Sequence, residues 1–358
     1  MFKHAEGALE FSSRRKLEVR DIADRLGYIS PSRIHMNNYP IDNPIAAFNP
    51  AMYLDREYLR VFARIIIGYY MYVSAVALID IPVDDVLDKH VTNAHYGAEL
   101  VVYPTTRYDL WGVEDPRVNV VGDDKVAMVY TGRGINYFNP AVRQERTLPV
   151  VALSKVGNGR KWVKKGVFVL PKHLRTHIVS DKDAFLVRTD DGELWLFHRP
   201  HTDDEKWHLV VSRVKEDPAS VEGLKEISVE DTTIILEPAP FEDKLGWAAP
   251  PLEISSRRYL ALIHAIENAS YSYNVFAALL RYEGKEKGFR VESVTPFYIM
   301  GPKTIYEVYG DRPLVVFPCG MVEVDGQLIV SYGAADYVIG FAKIDKQELL
   351  SILEGGAS

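Results

Sequence analysis

Five short turns, each running into an apolar strand, recur along the chain: YLDREYLRVFAR, VGDDKVAMVYTGR, TDDGELWLFHRP, SSRRYLALIHA and EVDGQLIVSYGAAD. The first strand residues after these turns, Tyr58, Val126, Leu194, Tyr259 and Leu328, are 68, 68, 65 and 69 residues apart. A period of about 67 residues is too long for a helical solenoid unit and suits four antiparallel strands with generous loops. The spacing therefore predicts an all-β chain, a five-bladed β-propeller over residues 41–344. Helical patterning is confined mainly to the ends, in RRKLEVRDIADRLGY (14–28) and DKQELLSILEG (345–355). These read as packing or assembly appendages, one within an N-terminal extension of residues 1–40 and one within a C-terminal helix and tail of residues 345–358. They are candidate contacts for a homo-oligomer.

Composition narrows the function classes. At 358 residues, 47% hydrophobic and 25% charged, the chain can bury a large core, which excludes disordered and fibrous classes. Its net charge is −7 and no Lys/Arg run is interleaved with aromatics, so nucleic acid is not an expected partner. Cys319 is the lone cysteine, which excludes an intramolecular disulfide and cysteine-based zinc clusters. A reducing compartment follows. The N-terminus MFKHAEGALEFSSRRKLEVR has no apolar signal core, so a cytoplasmic location is expected. The apolar run IIIGYYMYVSAVALIDI (65–81) is about as long as the shortest membrane spans. Its β-branched content and Gly-Tyr-Tyr break read instead as two buried strands joined by a turn, with no membrane partner.

In an antiparallel hairpin the incoming strand starts where the outgoing strand ends. The incoming starts bring Asn49, Asp115, Asp183, Pro250 and Pro318 to one rim, and the outgoing ends bring Arg64, Arg133, Arg199, His264 and Asp336. Any one of these could be a strand cap, an ion pair or a satisfied core histidine. Five equivalent strand ends that all carry ionisable groups point to a shared axial site. The prominent carboxylate is Asp115 in VEDPRV, with Arg64, Arg117, Arg133, Arg199 and His264 within reach; Glu114, its strand neighbour, is expected on the opposite face. No His pair has metal-ligand spacing, and no nucleophile elbow is present. Glycoside hydrolysis ordinarily needs two carboxyl groups. One acid among many cations suggests inorganic phosphate as co-substrate, because phosphate brings its own nucleophilic oxygen and calls for arginines. No cofactor is expected.

The motifs GVEDPRV, KLGWAAPP, LALIHA, VVFPCG and LIVSYGAAD resemble, in order, those of glycoside hydrolase family 130, the β-mannoside phosphorylases and mannosidases. The resemblance implies a five-bladed β-propeller and an inverting phosphorylase that cleaves a manno-oligosaccharide to α-mannose 1-phosphate and a shortened sugar. It implies that Asp115 is the sole catalytic acid, acting through a mannosyl hydroxyl. It further implies that Asn49, Arg64 and Asp336 hold the mannosyl unit, with Asp183, His198, Arg199 and Tyr332 also on the substrate side. Arg133, Arg146, Lys244 and His264 match phosphate-binding positions. A hydrolase using water and a loop glutamate is the alternative on the same scaffold, and a non-catalytic sugar-binding propeller is the third reading.

Overall fold

The computed structural model describes residues 1–68, 73–122 and 124–355. The chain is all-β with few, short helices. Four antiparallel strands form each of five successive meanders. The second strands of these meanders are Tyr58–Ile66, Lys125–Arg133, Leu194–Thr202, Arg258–Glu267 and Gln327–Ala334, each beginning within one residue of the position the repeat predicts. The run at 65–81 supplies the end of Tyr58–Ile66 and the paired strand Ser74–Pro82. Most of its Gly-Tyr-Tyr turn, like Asp123 of the second hairpin turn, lies outside the described residues. Among those described, no helix is long and apolar enough to cross a membrane.

Side chains alternate across a strand, and here both faces are buried. In Lys125–Arg133, Val126, Met128 and Tyr130 pack with the first meander, whereas Ala127 and Val129 pack with the third. The same division gives a cluster between the third and fourth meanders and another between the fourth and fifth. A further cluster joins Ile329 and Phe341 of the fifth to Leu59 and Ile79 of the first. Double-sided burial explains why these strands are nearly unbroken apolar runs. Fully burying each large side chain contributes about 1.5–3 kcal/mol. The second and third meanders also meet edge to edge, Val163–Val169 running parallel to Lys225–Leu236.

The N-terminal segment departs from expectation. Residues 14–28 are not helical: the helix is Ala8–Ser13, and the chain then runs irregularly along the fourth meander, where Arg20 and Ile22 donate backbone bonds to Tyr298 and Ile299. It continues as Asp24–Ile29, the fourth strand of the last meander, antiparallel to Val338–Asp345. The open edge of that sheet offers a ladder of backbone partners and an apolar bed for Leu26 and Ile29, which outweigh a local helical pattern. Residues 24–29 therefore complete the folded unit rather than extend from it. Arg15 anchors the same segment, its guanidinium 3.4 Å above the Phe276 ring and bonded to buried Glu242 at 2.7 Å. The C-terminal helix forms as expected, Lys346–Gly355, burying Leu349 and Leu353.

Candidate active site

Ladder pairing slips within the first strand of the first, second and third meanders, between Phe48 and Ala51, Glu114 and Arg117, and Lys182 and Phe185. Inside each slip sits a residue with left-handed backbone, Asn49 (φ 47°), Asp115 (φ 47°) or Asp183 (φ 52°). Asn and Asp tolerate this conformation best among residues with a Cβ, and a bulge re-aims the side chain it carries. The three short polar side chains converge on one cavity of about 220 Å³.

Asp115, 7% exposed, accepts from Asn49 Nδ2 (2.8 Å) and Arg64 Nη1 (2.9 Å), both on Oδ1. Its carbonyl accepts from Arg117 Nη1 (2.8 Å). Gly333 makes this approach possible, because a Cβ there would run into Asn49. Arg64 is steadied by Ser74 Oγ at 3.1 Å and lies over the Phe48 ring. Asp336, also at positive φ, lines the same cavity. Burial raises its carboxyl to about 6; Arg64 opposes the shift and Asp115 adds to it. Burial would also raise Asp183, but Arg199, His264 and Arg117 hold it well below the usual carboxylate range. Arg199 Nε lies 2.9 Å from Asp183 Oδ2 without the alignment of a hydrogen bond, and its buried Nη1 finds no hydrogen-bond partner among the described residues. Lys244 is brought down to about 8, first by burial and then by Arg199.

Asn49, Arg64, Asp115, Asp183, Arg199, Lys244 and Asp336 thus line the cavity as a group. The other sequence candidates do not, and each has a local reason. Arg133 donates to Glu114 at 2.8 Å and lies on the Tyr137 ring. Arg146 is taken up by backbone carbonyls of Asn136, Tyr137, Asn139 and Val142, pinning its own loop. His264 is fully buried against Phe317 and Asp183, and burial lowers it to about 4, so it is neutral at pH 7. His198 bonds Asp181 and Ser212 through its two ring nitrogens, and Tyr332 donates to Glu307, which also pairs with Arg25.

Glu114 corrects a second expectation. The bulge breaks the alternation, so Glu114 does not face away: it contacts Arg133 (2.8 Å), Lys182 (3.1 Å) and Arg64 (3.6 Å) just behind the cavity. Burial alone would raise it, but Lys182, Arg64 and Arg133 keep it well below the carboxylate range. Sequence reasoning missed Lys182, Trp207, Tyr273 and Arg312, all of which line the cavity. Lys182 sits beside Asp183, next to an expected strand start, and so close to the predicted rim. Tyr273 opens the third strand of the fourth meander, Tyr273–Tyr282, and Trp207 and Arg312 lie on connecting segments; the repeat indexes none of these positions.

Residues 13–355 match the family model described as beta-1,4-mannooligosaccharide phosphorylase. The chain is 29% identical over 251 residues to a beta-1,2-mannobiose phosphorylase of Thermoanaerobacter sp. (strain X514), covering 67% of this chain and 69% of the relative. It is 29% identical over 248 residues to a 1,2-beta-oligomannan phosphorylase of the same organism, covering 68% and 72%. Among solved structures it resembles the beta-1,2-mannobiose phosphorylase of Listeria innocua in complex with beta-1,2-mannobiose, with a TM-score of 0.69, 18% identity, and 93% and 99% of the two chains covered. That last likeness is one of fold. The family match takes in every meander and every residue that lines the cavity, and the chain belongs to glycoside hydrolase family 130.

Proposed function

We propose that the protein is an inverting phosphorylase of β-mannosides, cleaving a manno-oligosaccharide with inorganic phosphate to give α-mannose 1-phosphate and a shortened sugar. The observation that carries this reading is the charge balance around Asp115. Five cations (Arg64, Lys182, Arg199, Lys244, Arg312) line the cavity against three carboxylates (Asp115, Asp183, Asp336), and Asp183 is already paired with Arg199 and Arg117. Such a surplus fits a dianionic co-substrate. The phosphorylase relatives support the same reading.

In the proposed reaction Asp115, protonated, gives its proton through a mannosyl hydroxyl to the glycosidic oxygen. The bond from C1 to that oxygen breaks, and a phosphate oxygen attacks C1 from the opposite face. Asn49, Arg64 and Asp336 hold the mannosyl unit; Lys244 and Arg199 meet the phosphate. Glu114, Arg133 and Arg146 form a supporting layer. Five meanders packed in succession, with the fifth against the first, support a five-bladed propeller with this cavity on its axis. Buried, unpaired Cys319 fits the cytoplasm.

Incubation with β-1,2- and β-1,4-mannobiose, with and without phosphate, tests the proposal. Mannose 1-phosphate formed only with phosphate is expected; free mannose released without phosphate overturns it in favour of hydrolysis.

A further inference from the structure

Lys244, from the strand Glu242–Trp247, reaches the cavity with its ammonium 4.4 Å from the ring centroid of Trp207. Trp207 belongs to the preceding meander, on the short turn between Leu194–Thr202 and Leu209–Val214. Its plane is fixed by His201, whose ring stacks on it at 4.2 Å and 6° and whose backbone forms a β-bridge with it. Thr202 N to Lys206 O and His208 N to Pro200 O, at 2.9 and 3.0 Å, close the turn around it. The ion pair Lys244 makes among the described residues is with Asp243, at 4.0 Å, a side chain 40% exposed.

An aromatic face orients a cation without neutralising it, whereas a close carboxylate would compete with an arriving anion. We propose that Trp207 is a positioning residue: its indole face holds the Lys244 ammonium in the cavity, charged and uncommitted, for the phosphate oxygens. The inference rests on the reading of the site as one that takes phosphate. Arg199 and Arg312 face Lys244 and disfavour its charge, Asp243 and Asp183 favour it, and His201 lies across the indole with its own pKa lowered by burial. In that setting the ring face is a further contribution to keeping Lys244 protonated, since its pKa is already down to about 8.

The test is initial-rate phosphorolysis at varied phosphate, on both sides of pH 8, for wild type, Lys244→Met, Trp207→Leu and Trp207→Phe. Lys244→Met and Trp207→Leu are each expected to raise KM for phosphate by about tenfold or more, with a smaller change in kcat. Trp207→Phe, which keeps a ring, is expected to recover most of the loss. Removing the ring face disfavours the ammonium, so the alkaline fall in phosphate affinity moves to lower pH in Trp207→Leu and returns in Trp207→Phe. If Lys244→Met raises KM while Trp207→Leu leaves both KM and the alkaline limb unchanged, Trp207 has no positioning role. If Lys244→Met itself leaves phosphate KM unchanged, the placement of phosphate at Lys244 fails and the inference with it. Should Trp207→Leu not fold, Trp207→Met takes its place as the ringless variant, and no change in its KM for phosphate or its alkaline limb would equally overturn the inference, as would a loss confined to kcat.

Discussion

Asp115 is held by Asn49 and Arg64 in a backbone conformation that only a few residue types accept without strain. Asp115→Asn keeps the shape and the tolerance for positive φ while removing the proton. Turnover should fall by at least about 10³-fold, within or beyond the range of a lost general acid, with thermal stability unchanged; wild-type rates in that variant would return Asp115 to a strand cap. Asp336 makes an opposite stability prediction. Its folded pKa of about 6 exceeds the unfolded value near 3.8, so the stability it contributes is full below the unfolded value and lost as pH rises through about 6. Asp336→Asn should therefore stabilise the fold above pH 6, by up to about 3 kcal/mol, and have little effect near pH 4. Denaturant melts at the two pH values measure this, and loss of activity in the stabilised variant marks the carboxylate as functional. Lys244 gives the third test. Its free-enzyme pKa is depressed to about 8 and bound phosphate would raise it, so phosphate affinity should be greatest below 8 and decline above it. Isothermal titration with Lys244→Met should lack that decline.

Among the elements, the strand Asp24–Ile29 carries the clearest structural prediction. Leu26 and Ile29 are 1% and 0% exposed at the junction of the last and first meanders. If that segment were a surface helix, truncating Leu26 would cost little. As the closing strand it should cost about 2–5 kcal/mol in Leu26→Ala, read from the denaturant midpoint. The helical reading failed there because the strand's partner, Val338–Asp345, lies some three hundred residues away in sequence and leaves no local trace. The five second strands were legible because each is announced by a turn and an apolar run beside it. The bulges at Asn49, Asp115 and Asp183 were not, since nothing in FNP, EDP or KDA separately states that the ladder slips. For the same reason simple alternation puts Glu114 on the wrong face.

At the level of the whole molecule, a cavity with more cations than carboxylates should be stabilised when an anion binds in it. A ligand that binds only the folded state adds about 2.7 kcal/mol at a hundred times its Kd. Phosphate should therefore raise the melting temperature of the wild type and do so much less in Lys244→Met; an equal rise in both would place the anion elsewhere. Strand periodicity and turn chemistry are local and repeat along the chain, so the all-β class, the five-fold hairpin repeat and the strand-end residues Asn49, Arg64, Asp115, Asp183, Arg199 and Asp336 can be read from the residues alone. Lys244, read from its motif, also proved to line the cavity. How deep each side chain lies emerges only on folding. Arg133 and Arg146 are spent on Glu114 and on backbone carbonyls, His264 is sealed and neutral, and Trp207 from a neighbouring meander stands against Lys244. Depth and pairing depend on which side chains from distant segments fill the same space, and that is settled by packing.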